Sequence, residues 1–92
     1  MKTYAIRRKT AWKGPDELGA TAELSKQVAA SDFPDQIRWI RSYVIDEPDG
    51  SLGTICIYEA SNPEAIRGHA EKVGMPADEI LDVAEVVVVD AD

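Results

Sequence analysis

His69 is the only histidine in the chain, and imidazole is the one side chain whose charge changes near neutral pH without perturbation. It sits at helical spacing among Ala65, Ile66, Ala70 and Val73, on the stripe that a helix turns toward its sheet. Two roles stay open for it: a general base or metal ligand beneath the helix, or a core-edge histidine satisfied by one hydrogen bond. Arg41 is the second candidate. Strict alternation along residues 37–45 puts Ile37, Trp39, Arg41, Tyr43 and Ile45 on one face, with Arg38, Ile40, Ser42 and Val44 on the other. A guanidinium framed by Trp39 and Tyr43 can hold a carboxylate or planar anion in parallel hydrogen bonds while the rings form apolar walls. The same residue types also build dimer interfaces.

Cys56 and Tyr58 share a face of the following strand, and Tyr58 joins Trp39, Arg41 and Tyr43 as a candidate ligand contact. Cys56 has no electropositive neighbour in sequence to favour a thiolate and reads as a small buried hydrophobe. The acidic run Asp78, Glu79, Asp82 and Glu85 lacks the spacing of a calcium loop and reads as a solvated face or as salt-bridge partners for the basic N-terminus. There is no glycine-rich phosphate loop, no GxSxG elbow and no HExxH pair.

The elements that must carry these residues centre on Gln36–Ala60. Pro48-Asp49-Gly50 reverses the chain between two runs rich in Ile, Val, Tyr and Trp, which predicts a hairpin with its second strand over 52–59. Apolar groups on both faces predict helices on one side and a partner surface on the other. Residues 2–9 predict a first strand, with Tyr4, Ile6 and Arg8 on one face. Pro15, Asp16 and Glu17 start a helix running to about Ala30, with an apolar stripe of Leu18, Ala22, Leu24, Val28 and Ala29. Ser61-Asn62-Pro63-Glu64 starts a second helix, and Gly74 ends it. Four consecutive valines predict a last strand over 82–90. The order β-α-β-β-α-β is the ferredoxin-like pattern, an α+β fold with a four-stranded antiparallel sheet and two helices on one face. First and last strands are then neighbours, setting Arg7, Arg8 and Lys9 beside Asp82 and Glu85.

Ninety-two residues make a single domain over 1–92, small enough that dimerisation would help stabilise it. Ten basic against 17 acidic side chains give a net charge of −7, which opposes the counterion-release attraction behind nucleic-acid binding. A single cysteine allows no internal disulfide. No apolar run reaches the ~18 residues of a membrane span, and the N-terminus lacks the apolar segment of a signal peptide, so a cytoplasmic protein is expected.

Three stretches, WIRSYV (39–44), TICIYEAS (54–61) and PEAIRGHAEKVGMPADEILDV (63–83), resemble the small bacterial DUF4242 proteins. Residues 4–8 resemble that family's first strand more loosely. The resemblance implies a ferredoxin-like domain that dimerises as an α+β barrel, and a nickel-binding function. It also exposes two departures: Arg41 stands where the family often has His in a WxHSYV strand, and Arg7 where it often has an acid. A guanidinium neither ligates nor tolerates a nearby cation, so metal binding would rest on His69 with Asp, Glu, Cys56 or groups of a second subunit. Three functions follow. One is a divalent-metal-binding homodimer, nickel being the family precedent. Another is a dimeric α+β barrel enzyme or small-ligand binder, with a pocket between the second helix and the sheet where Arg41 holds an anion and His69 moves a proton. The last is a partner-binding module without chemistry.

Overall fold

The computed structural model describes residues 1–90. Its elements run β1 (Lys2–Trp12), α1 (Pro15–Asp32), β2 (Ile37–Asp46), β3 (Leu52–Ala60), α2 (Pro63–Val73) and β4 (Glu79–Asp82). The four strands form one antiparallel sheet in the order β2-β3-β1-β4, the ferredoxin-like α+β arrangement. The core lies between this sheet and the helices. Tyr4, Ile6, Ile37, Cys56, Tyr58 and Ala60 from the strands meet Ala65 and Ile66 of α2, so the Tyr4-Ile6-Arg8 face of β1 is the inward one.

Local chemistry sets the ends of α2. Asn62 is the N-cap, its Oδ1 accepting the Ala65 N–H at 2.9 Å, and Pro63 supplies the first helical residue without a donor that needs a partner. Gly74 closes the helix in the left-handed conformation at φ 84°, which suits a residue with no Cβ. In α1, by contrast, Ser25 is the one buried residue and Leu24 points to solvent. The expected stripe is therefore displaced: Leu18, Thr21, Ala22 and Ser25 are the residues that face a cavity above the sheet.

Three expectations about the strands are corrected. The last strand is Glu79–Asp82, not 82–90; Val86, Val87, Val88 and Val89 lie beyond it and are exposed. Branched side chains favour extended backbone, but with Asp82 already opposite Tyr4 the antiparallel tail runs past the start of β1, leaving residues 86–89 no strand to pair with. The charge pairing shifts accordingly. β1 and β4 are neighbours, yet Arg7 is opposite Glu79, Lys9 pairs with Glu79 at 3.6 Å, and the Lys9 N–H donates to Asp78 at 2.6 Å. Arg7 turns instead to Glu47, donating to both carboxylate oxygens at 3.0 Å. Third, alternation along β2 fails at a bulge. Trp39 is opposite Tyr58 but Arg41 is opposite Ile57, so Ile40 is the extra residue. One inserted residue flips every side chain after it.

Candidate functional site

The β2 bulge decides which candidates meet. Trp39 remains on the helix side, stacked on Tyr58 with ring centroids 6.2 Å apart. Beyond the bulge, Ser42 and Val44 take the inward positions, while Arg41 and Tyr43 move to the outer face with Ile40 and Ile57. His69 is on α2, inside the core, 5.9 Å from the Tyr58 ring. The constellation of Trp39, Arg41, Tyr43 and His69 around one pocket is thus split by the sheet: Trp39, Tyr58 and His69 are brought together, and Arg41 and Tyr43 are not with them. The Arg41 guanidinium donates to the Tyr43 hydroxyl at 3.4 Å on that outer face.

The pocket itself also moves from its expected place under the second helix. It is a cavity of about 160 Å³ between α1 and the sheet. Leu18, Thr21, Ala22 and Ser25 of α1 form its roof; Arg8, Trp39, Ser42, Val44, Thr54, Cys56 and Tyr58 form its floor, with Trp12 and Met75 at the sides. Thr21 and Ala22 at inward positions of α1 are short and leave space above the sheet, whereas the Ser25 side chain meets Tyr58 of β3. Both tryptophans of the chain line it.

Arg8 is the residue that the sequence reading passed over. Alternation puts it on the Tyr4-Ile6 face, and the charge pattern alone makes it a salt-bridge partner for the last strand. Its side chain is 0% exposed. Nη1 donates to the Pro76 carbonyl at 2.5 Å and the guanidinium lies against Tyr58, 5.9 Å from its ring centroid and interacting with its hydroxyl, while Nη2 makes no hydrogen bond of good geometry. Among the described residues no carboxylate forms an ion pair with it. Burying an unpaired charge costs several kcal/mol, roughly, even after relaxation. The signal available in the sequence was an Arg at an inward strand position between core residues.

Polar groups on the cavity floor form a chain. Trp39 Nε1–H donates to Ser42 Oγ at 2.8 Å, Ser42 to Cys56 Sγ at 3.0 Å, and Cys56 to Thr54 Oγ1 at 3.3 Å. Cys56 is thereby tied to hydroxyls and not to a base. His69 Nε2 lies 3.0 Å from the Ser25 carbonyl and 3.4 Å from its Oγ. A carbonyl only accepts, so Nε2 carries the proton and Nδ1 is left as a buried lone pair without a partner. Burial pushes the His69 pKa down, the Ser25 carbonyl opposes this, and the Arg8 charge lowers it further; the ring is neutral at pH 7. Burial raises the Tyr58 pKa, against smaller opposing effects of Ser25 and Arg8.

A metal site does not emerge from this donor set. Among the described residues no three His, Cys, Asp or Glu side chains group closely enough to hold an ion, and the cation already beneath α1 is Arg8. Nor is any helix of the described residues long and apolar enough to cross a membrane.

Fold and cavity together define a small ferredoxin-like domain with a charged residue sealed under its first helix. The family profile described as "Nickel responsive protein SCO4226-like" matches residues 4–83, and the chain belongs to that family. Among solved structures, that of SCO4226 from Streptomyces coelicolor A3(2) is similar with a TM-score of 0.70. At 19% identity over 92% of this chain and 99% of that one, the likeness is one of fold. No curated protein matches the chain.

Proposed function

We propose that this protein binds a small organic molecule in the cavity beneath α1. The observation that carries the reading is Arg8, a buried guanidinium lining a mixed apolar and hydroxyl-bearing cavity, with Nη2 making no hydrogen bond of good geometry. A few polar groups converging on an apolar hollow are the usual make-up of a small-molecule site. Native mass spectrometry of the freshly purified protein tests it, followed by tryptophan-fluorescence titration with small organic acids, amides and alcohols. A released small molecule, or saturable quenching by one class of compound, supports the reading; an unladen protein with no saturable change for any class removes it.

Membership of a nickel-responsive family favours a second reading, the binding of a divalent metal, nickel first. His69 offers one lone pair, on Nδ1, and the remaining donors would have to be brought to the helix side of the sheet, where this ring is buried. A homodimer through the outer face of the sheet suits the exposed Ile40, Tyr43, Ile55 and Leu81 found there, but that face lies across the sheet from His69 and takes no part in its coordination. Light scattering gives the oligomeric state. Calorimetry with Ni(II), Co(II) and Zn(II) on wild type and His69→Ala then decides: binding lost in the variant supports the metal reading, and binding no tighter than an acidic surface gives refutes it.

A further inference from the structure

Resting on the proposed cavity function, we infer that the ligand is a small monocarboxylic acid with an apolar body of about one aromatic ring, its carboxylate on Arg8 Nη2. Three observations narrow the class. The guanidinium is permanently charged, and among the described residues nothing anionic neutralises it, so the missing partner is an anion. One buried positive charge matches one negative charge. A phosphate dianion would bring a second charge and further acceptors into walls whose remaining donors are few: the Thr21, Ser25, Ser42 and Thr54 hydroxyls and the Tyr58 phenol, several already engaged with one another. A carboxylate is planar, singly charged and complementary to the edge of a guanidinium.

Size and lining define the rest of the molecule. A cavity of about 160 Å³ is close to the roughly 150 Å³ at which an apolar protein cavity admits benzene. Leu18, Val44 and Met75 with the two indoles give that ring apolar contact on several sides. Arg8 lies on the floor with no exposed surface of its own, so its guanidinium swings toward the hollow to meet the carboxylate while the ring packs under α1.

The test uses benzoate as probe and benzamide as its neutral counterpart of the same shape, on the intact protein at pH 7. Trp12 and Trp39 report occupancy through their fluorescence. Benzoate is expected to bind about tenfold or more tightly than benzamide, the usual advantage of a charged hydrogen bond over a neutral one. In Arg8→Met that preference disappears while benzamide binding is kept. Equal affinity for both probes in wild type overturns the carboxylate assignment and leaves the cavity reading standing. Saturation by neither, together with an unladen protein in the mass spectrum, removes the cavity reading itself. Should Arg8→Met not fold, the wild-type ratio still decides, and Arg8→Lys, which keeps the charge, is expected to retain part of the preference.

Discussion

Filling the cavity should make the protein more stable and unable to bind. Ala22 lies on the inward face of α1 and lines the hollow, so Ala22→Leu adds three carbons to open space. At about 0.8 kcal/mol for each buried CH₂ the gain is roughly 2.4 kcal/mol. Fixing the leucine rotamer gives back about 0.5–1 kcal/mol. The net is a stabilisation of about 1.5 kcal/mol, or roughly 6–12 °C in Tm at the ~4–8 °C per kcal/mol appropriate to this size. Three further carbons within about 160 Å³ leave too little room for an aromatic ring, so benzoate binding should be lost. Urea and thermal unfolding followed by far-ultraviolet circular dichroism give the first number, a signal independent of the tryptophans that report the ligand. A variant destabilised by overpacking would show that the space under α1 is not open. One that is stabilised yet binds benzoate as well as wild type would place the ligand elsewhere.

Three further outcomes follow from the same geometry. His69 has a depressed pKa in the folded chain, so the unfolded chain takes up the proton first as the solution is acidified. Its contribution is complete above about pH 6.5 and is lost as pH falls toward the folded value, at up to about 1.4 kcal/mol per pH unit; urea midpoints between pH 7.5 and 5 should show this slope, and His69→Gln should flatten it. A Cβ at Gly53 would overlap the Glu47 carboxylate and come within 2.5 Å of the Arg8 carbonyl, so Gly53→Ala should cost about 1–3 kcal/mol in denaturant unfolding. Deleting residues 84–92 should change stability by no more than about 0.5 kcal/mol, because the ladder ends at Asp82 and Val86–Val89 are exposed.

The scaffold was largely written in the chain's local chemistry. Pro48-Asp49-Gly50, Pro15, Asn62-Pro63 and Gly74 are punctuation whose mechanism is confined to a few residues, and each stands where the chain turns or a helix begins or ends. The site was less legible because it depends on events that are not local. A single extra residue at Ile40 reverses the facing of everything after it in β2, and no pattern of residue types announced it; that alone carried Arg41 and Tyr43 to the outer face. The valine run looked more strand-like than Glu79–Asp82, yet strand formation needs a free edge in register, and register is decided across the sheet. Alternation places Arg8 at an inward position, but it cannot show that the expected neighbours miss it: Asp82 is opposite Tyr4, and Glu85 lies beyond the end of β4.

The most direct measurement is a two-dimensional ¹H–¹⁵N NMR titration of the labelled protein with sodium benzoate. A ligand beneath α1 shifts the Trp12 and Trp39 indole signals and the amides of Leu18, Ala22 and Ser25 saturably and together, and by more than the amides of Ile40, Arg41, Tyr43 and Ile57. Shifts confined to those outer-face amides, or no saturable shift at all, would contradict a ligand site built around Arg8.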